Sequence, residues 1–200
     1  MAEETLNAKK MTFNEVMSVI KNDNSTQLNE LIKEGRITDI NMRDIPRMKS
    51  LLMATCKIGS LSCAKVLIDN SADINDRVGE NNALNFACLS SNVQMLQFVI
   101  EHGFVINDRV LLNLFNVETI VRNTKIAAEL LTHVGDINYQ GPGMAYERCS
   151  LLIYACRYGN TTIARMRLER GADVGLIDGV FGGFRTPRPY RYSRACTRLA

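Results

Sequence analysis

The sequence contains no tryptophan and only two histidines, His102 and His133, so imidazole chemistry and histidine-rich metal sites have little to draw on. No apolar run approaches the ~20 residues that a membrane-spanning helix needs. The stretch Met1 to Lys10 is polar and charged, without the apolar core and small-residue cleavage site of a secretory signal. The six cysteines, Cys56, Cys63, Cys88, Cys149, Cys156 and Cys196, form no CxxC pair. That spacing speaks against a zinc site or a disulfide framework and for free, buried thiols in a reducing compartment. The expected location is therefore the cytoplasm, with the nucleus as alternative. Lysine is missing after Lys125, and acidic residues are missing after Asp178. What remains is a composition of 46% apolar and 22% charged residues over 200 positions, that of a soluble globular chain long enough for a real core.

Charge is unevenly distributed. Residues 1–147 carry a net −4 and residues 148–200 a net +7, the latter entirely from arginine. A search for internal repetition explains most of the chain before that shift. Ser50 to Asn75, Asn82 to Asn107 and Ser150 to Gly175 align without a gap. The alignment superposes Leu52, Leu84 and Leu152, then Cys56, Cys88 and Cys156, then Ile68, Ile100 and Leu168. Two weaker blocks, Phe13 to Asn41 and Arg109 to Asn138, complete the series, and the block ends are spaced 34, 32, 31 and 37 residues apart.

Each block reads as two short helices and a turn. In the second, Leu51, Leu52, Thr55 and Cys56 recur at helical spacing, Gly59 breaks the helix, and Leu61, Ala64, Leu67 and Ile68 share one face of the next. Small residues such as Thr55, Cys56, Ala87, Cys88, Ala155 and Cys156 allow close helix approach. One such helix pair cannot bury its apolar face alone, so neighbouring blocks must stack.

With SLLMATCKIGS, NALNFACLSSN and SLLIYACRYGN in first place and SADIN, FVIN and GADV in second, the blocks resemble the ankyrin repeat over about residues 13–175. The family's Thr-Pro pair is missing from every block, which leaves the helix starts less sharply defined. The fourth block has no glycine matching Gly59 and carries Glu118 where the others have small residues, so a distorted repeat is expected there. The resemblance implies an all-α ankyrin-repeat solenoid of helix-turn-helix units with extended finger loops and a concave binding face. The expected organisation is a polar lead (1–12), the repeat domain (13–178, with repeats at about 13–41, 42–75, 76–107, 108–138 and 139–175) and a basic tail (179–200) expected to be disordered.

No catalytic constellation emerges, and a non-enzyme without metal or cofactor is expected. His102 and His133 lie at helix ends, where an imidazolium meets the negative end of the helix dipole. The recurring cysteines sit among apolar neighbours without a base. Gly141-Pro142-Gly143 and Gly182-Gly183 lack the spacing of phosphate loops. Asp73, Asp136 and Asp173, like Asn41, Asn75, Asn107 and Asn138, recur with the repeat and read as turn chemistry.

The expected function is a scaffold or adaptor that binds another protein through the concave face. Candidate contact residues are those that vary between repeats at exposed places. They are Arg43, Asp44, Arg77, Val78 and Glu80 in the fingers, and Lys57, Ile58, Leu89, Ser90, Arg157 and Tyr158 at the first-helix ends. The alternative is an adaptor for nucleic acid or anionic membrane acting through Arg185, Arg188, Arg191, Arg194 and Arg198, which are interleaved with Pro187, Pro189, Tyr190 and Tyr192. A third reading of that tail is an alternative terminus. Arg167 replaces the apolar residue found at Leu31, Leu67, Val99 and Leu130. The fifth repeat is therefore expected to be a cap whose arginine reaches water along its aliphatic stem.

Overall fold

The structure, a computed structural model, describes residues 9–45, 47–79, 81–115, 123–140, 150–157 and 160–173. The chain divides into two compact bodies, residues 1–105 and 106–200. The N-terminal body contains α1 (Phe13–Lys21), α2 (Ser25–Lys33), α3 (Leu51–Ile58), α4 (Leu61–Asp69), β1 (Arg77–Val78), β2 (Asn81–Asn82), α5 (Ala83–Leu89) and α6 (Val93–Glu101). First helices pack on first helices, α1 on α3 and α3 on α5, and second helices on second, α2 on α4 and α4 on α6.

In the N-terminal body the helix starts are sharply defined despite the missing Thr-Pro pair, which corrects the expectation above for these repeats. Short polar side chains cap them instead. Thr12 and Glu15 form a reciprocal capping box at α1. The Ser50 hydroxyl accepts from Met53 N at 3.3 Å, and Asn82 Oδ1 accepts from Asn85 N at 2.9 Å. Asn24, Ser60 and Asn92 cap the second helices in the same way.

The core of this body follows from the helical spacing. Leu52, Cys56, Leu67, Leu84, Cys88 and Val99 are at most 2% exposed. The small side chains Thr55, Cys56, Ala87 and Cys88 are buried on α3 and α5, the two helices that pack on each other. Thr55 joins this core because its hydroxyl donates to the Leu51 carbonyl at 2.7 Å, which satisfies that buried group.

Second helices end in a recurring left-handed cap. After α4, Ser71 N–H donates to the Ile68 carbonyl and Ala72 N–H to the Leu67 carbonyl, both at 2.9 Å. This is the Schellman pattern, which requires positive φ at the residue two places past the helix. Gly35, Gly103 and Gly171 hold that place elsewhere, whereas Ser71 adopts φ 68° with a Cβ to accommodate.

The C-terminal body contains α7 (Asp108–Phe115), α8 (Thr124–Leu131), α9 (Leu151–Arg157) and α10 (Thr161–Glu169). Here α9 packs on α7 and α10, and α10 packs on α8. Glu118, on which the expected distortion of the fourth repeat rests, lies outside the described residues; the described start of that repeat differs from the earlier ones. Asn107 accepts from Val110 N at 3.0 Å and starts α7 at once, so a helix stands where the preceding repeats place a finger. Val110, Leu111 and Leu114 bury its apolar face.

Arg167 contradicts the expectation of a water-reaching cap residue. It is 0% exposed. Its Nη2 donates to the Ile137 carbonyl, while Nε and Nη1 have no hydrogen-bond partner among the described residues. Burial, then the charge of Arg170, pulls its pKa down to about 10 against the attraction of Asp108 and Asp136. The row position, set by the helix, puts the side chain in the core regardless of its charge.

Two predictions follow from these placements. Ser71→Gly relieves a left-handed serine and should stabilise the protein by about 0.5–1 kcal/mol, a rise of a few degrees in thermal melting. An unchanged or lower melting temperature would contradict the cap assignment. Because the Arg167 pKa is lower folded than unfolded, its charge opposes folding at every pH below about 10 and is relieved only above that value. Arg167→Leu should therefore raise stability at neutral pH by about 1–3 kcal/mol in denaturant titrations.

Candidate functional site

The N-terminal body presents two fingers and the outward faces of α3 and α5. In the first finger Asp44 N–H donates to the Lys49 carbonyl at 2.9 Å, and Met48 N–H donates to the Asp44 carbonyl at 2.8 Å. The Asp44 carboxylate also accepts from Lys49 N at 2.6 Å. An isolated bridge joins Arg43 to Ser50. The second finger pairs Arg77 with Asn82 and Val78 with Asn81, turning at Gly79 with φ 60°.

A side-chain ladder fixes the finger bases. The backbone N–H groups of Asn41, Asn75 and Asn138 donate to Asp39, Asp73 and Asp136 respectively, the Asx turns expected of a loop carboxylate. The asparagine side chains do something else, which corrects their reading as local turn residues. Asn41 Oδ1 accepts from Asp73 N at 2.9 Å, one repeat on. Asn75 accepts from Val105 N at 3.0 Å and donates to the Gly103 carbonyl at 3.2 Å. Asn138 accepts from Asp173 N at 2.8 Å. Asn107 is spent on the cap of α7, and Asp108 takes over, accepting from Gly135 N at 2.9 Å and Asp136 N at 3.0 Å.

The candidate contact residues divide by what they already hold. Arg43 is half-buried, pairs with Asp76 of the next finger and donates to the Met48 carbonyl at 3.1 Å, so it braces the fingers. Asp44 closes its own finger. Ser90 is half-buried, donates to the Ala87 carbonyl at 2.7 Å and accepts from Asn92 N at 3.2 Å. Val78 is half-buried in the second finger. Lys57, Ile58, Arg77 and Leu89 are exposed. Glu80, Tyr158 and the tail arginines Arg185, Arg188, Arg191, Arg194 and Arg198 lie outside the described residues, as does the side chain of Arg157.

Sequence reasoning missed the tip of the first finger. Ile45 is 90% and Met48 46% exposed, more than Ile58 at 42% or Leu89 at 43%. Apolar residues on either side of Pro46, in a segment too short for a core element, were the available signal. Lys49 was missed as well: its ammonium stands 4.7 Å from the centroid of the buried Phe86 ring, a cation–π contact. Burial, then the charges of Lys57 and Arg47, lowers its pKa.

The described cysteines of the N-terminal body are not poised as nucleophiles. Burial pushes the Cys56 thiol up to about 12 and raises Cys88 and Cys63 too, which leaves them protonated and unreactive at neutral pH. Cys156 departs from the expected free thiols: it is half-buried and disulfide-bonded, with its partner outside the described residues. His102 caps α6, with Nδ1 2.8 Å from the Phe98 carbonyl and its ring against that of Phe98. Among the described residues, no three His, Cys, Asp or Glu side chains gather as metal ligands, and no helix is long and apolar enough to cross a membrane.

Comparison with known proteins agrees with this geometry. Residues 16–110 match the family model for ankyrin repeats, in 3 copies. The ankyrin repeat domain of human ASB11, known from a crystal structure, is similar at 23% identity. That alignment covers 80% of this chain and 70% of the other, with a TM-score of 0.62. No curated protein sequence gives a significant match. Residues 16–110 therefore carry ankyrin repeats, and the fold is that of an ankyrin repeat domain over most of the chain. Ankyrin repeats are general protein-interaction modules.

The ladder yields a direct test. Asn75→Ala removes both contacts to the Gly103–Val105 segment and should cost about 1 kcal/mol of stability, since these bonds lie near solvent. Amide exchange at Val105 should accelerate while that at the α5 core stays slow. Equal exchange at Val105 in both proteins would show that the ladder does not fix the finger base.

Proposed function

We propose that this protein is an adaptor whose fingers and first helices, within residues 9–105, bind a partner protein. The observation that carries the reading is the exposure of Ile45, Met48, Ile58 and Leu89 on those elements. Among the described residues of the N-terminal body they are, with Val105, the exposed large apolar side chains, and burying them on a partner gains about 25 cal/mol per Å². Rigidity supports it too. Finger conformations are preset by Asp44, by the Arg43–Asp76 pair and by the asparagine ladder, which lowers the ordering cost of binding.

The reading is tested by placing a photo-crosslinking amino acid singly at Ile58, Leu89 or Arg77, and for comparison at Lys65 or Gln97 on the second helices. Exposed to cell extract, the first set should give discrete protein adducts and the second set none. Adducts confined to Lys65 and Gln97 would move the binding face to the second helices and refute the proposal.

A further inference from the structure

The carboxylates near the fingers are tied within the fold, whereas several cations beside them make no ion pair among the described residues. Each described finger carboxylate is already committed. Asp44 accepts from the Lys49 backbone, Asp76 pairs with Arg43, and Asp73 accepts from Asn75. The cations are not committed. Arg47, Lys57 and Arg77 are exposed and make no ion pair among the described residues. Lys49 rests on Phe86 rather than on a carboxylate. Arg77 holds in the second finger the place that Arg43 holds in the first, and its side chain is exposed. The face therefore combines committed acids, uncommitted bases and exposed apolar side chains.

We infer that the fingers and first helices of the N-terminal body take an acidic protein segment punctuated by apolar residues, with its carboxylates meeting Arg47, Lys49, Lys57 and Arg77 and its apolar side chains covering Ile58 and Leu89. This rests on the proposed function and names the chemistry of the partner. Lys57 and Ile58 are adjacent at the end of α3, and Leu89 is the last residue of α5, the helix packed beside it, so charge and apolar surface are offered side by side. Two features favour protein over nucleic acid. The aromatic ring beside these cations, Phe86, is 4% exposed and covered by Lys49, so it offers no platform for a base. The exposed side chains between the cations are aliphatic or thioether, which suit Leu, Ile or Val on a partner and gain nothing from a phosphate backbone.

The experiment pans a random peptide library displayed on phage against the full chain. The winning peptides are then measured by fluorescence anisotropy against three variants: Arg47→Glu with Lys57→Glu, Ile58→Asp with Leu89→Asp, and serine at Arg185, Arg188, Arg191, Arg194 and Arg198. Circular dichroism checks that each variant remains folded. The inference predicts enriched peptides with Asp or Glu interleaved with Leu, Ile or Val. The charge-reversed variant should bind them about tenfold more weakly or worse, with the loss shrinking as salt is raised. The apolar-to-Asp variant should also weaken binding, and the tail variant should bind as the parent does. Neutral or basic winners that depend on Ile58 and Leu89 would overturn this inference and leave the binding face in place. Winners indifferent to both finger-face variants, or no enrichment at all, would overturn both readings. Acidic winners lost only with the tail variant, or tighter binding of a single-stranded thymidine oligonucleotide that depends on Arg47 and Lys57, would also overturn it.

Discussion

A helix of eight or nine residues with one apolar stripe is not stable in water, and pairing two of them still leaves a face uncovered. Everything else in this protein depends on covering that face with the next pair. The contact requires backbones close enough to exclude water, and the small residues of α3 and α5 meet that requirement: Thr55 and Cys56 on one helix, Ala87 and Cys88 on the next. Burial at this contact raises the pKa of Cys56 and Cys88, so the packing that builds the repeat also makes its thiols inert.

Stacking fixes the helices but leaves the loops to be held by hydrogen bonds. The Asx turns shape each finger base, and the asparagine amide ties it to the following repeat. The same polar economy shapes the surface. Acidic side chains near the fingers hold backbone or brace Arg43, while Arg47, Lys57 and Arg77 make no ion pair among the described residues. The proposed binding face thus draws on loop geometry rather than on a local motif.

The helix pairs, their order and the core rows were legible in the sequence because each depends on a period of apolar residues that repeats near 33 positions. Leu52, Leu84, Cys56 and Cys88 were identified on that basis and are buried. Interactions between specific partners one repeat apart were not legible. Nothing in a periodicity distinguishes an asparagine that turns its own loop from one that reaches the next, as Asn75 does. Asn107 shows the difficulty most clearly, since the same residue in the same register caps α7 and passes the ladder to Asp108. Arg167 was misread because its charge was weighed above its row: helix geometry buries that position beside Ile137 whichever side chain fills it. Of the candidate contact residues, Lys57, Ile58, Arg77 and Leu89 are exposed as expected of a contact surface, whereas Arg43 and Asp44 are engaged in the fingers themselves. Ile45 and Met48 escaped notice because a short loop offers no period to read.

The central claim is that residues 9–105 are held by mutual burial of neighbouring repeats, so that no repeat in this body opens alone. Pulsed thiol labelling across a denaturant series tests it with the native side chains Cys56, Cys63 and Cys88, which lie in α3, α4 and α5 and are at most 2% exposed. If the faces depend on one another, all three thiols should be silent in the native protein and become reactive at one shared midpoint. Separate midpoints for Cys56 and Cys88, or rapid labelling of either without denaturant, would show that the repeats stand independently and would contradict the account.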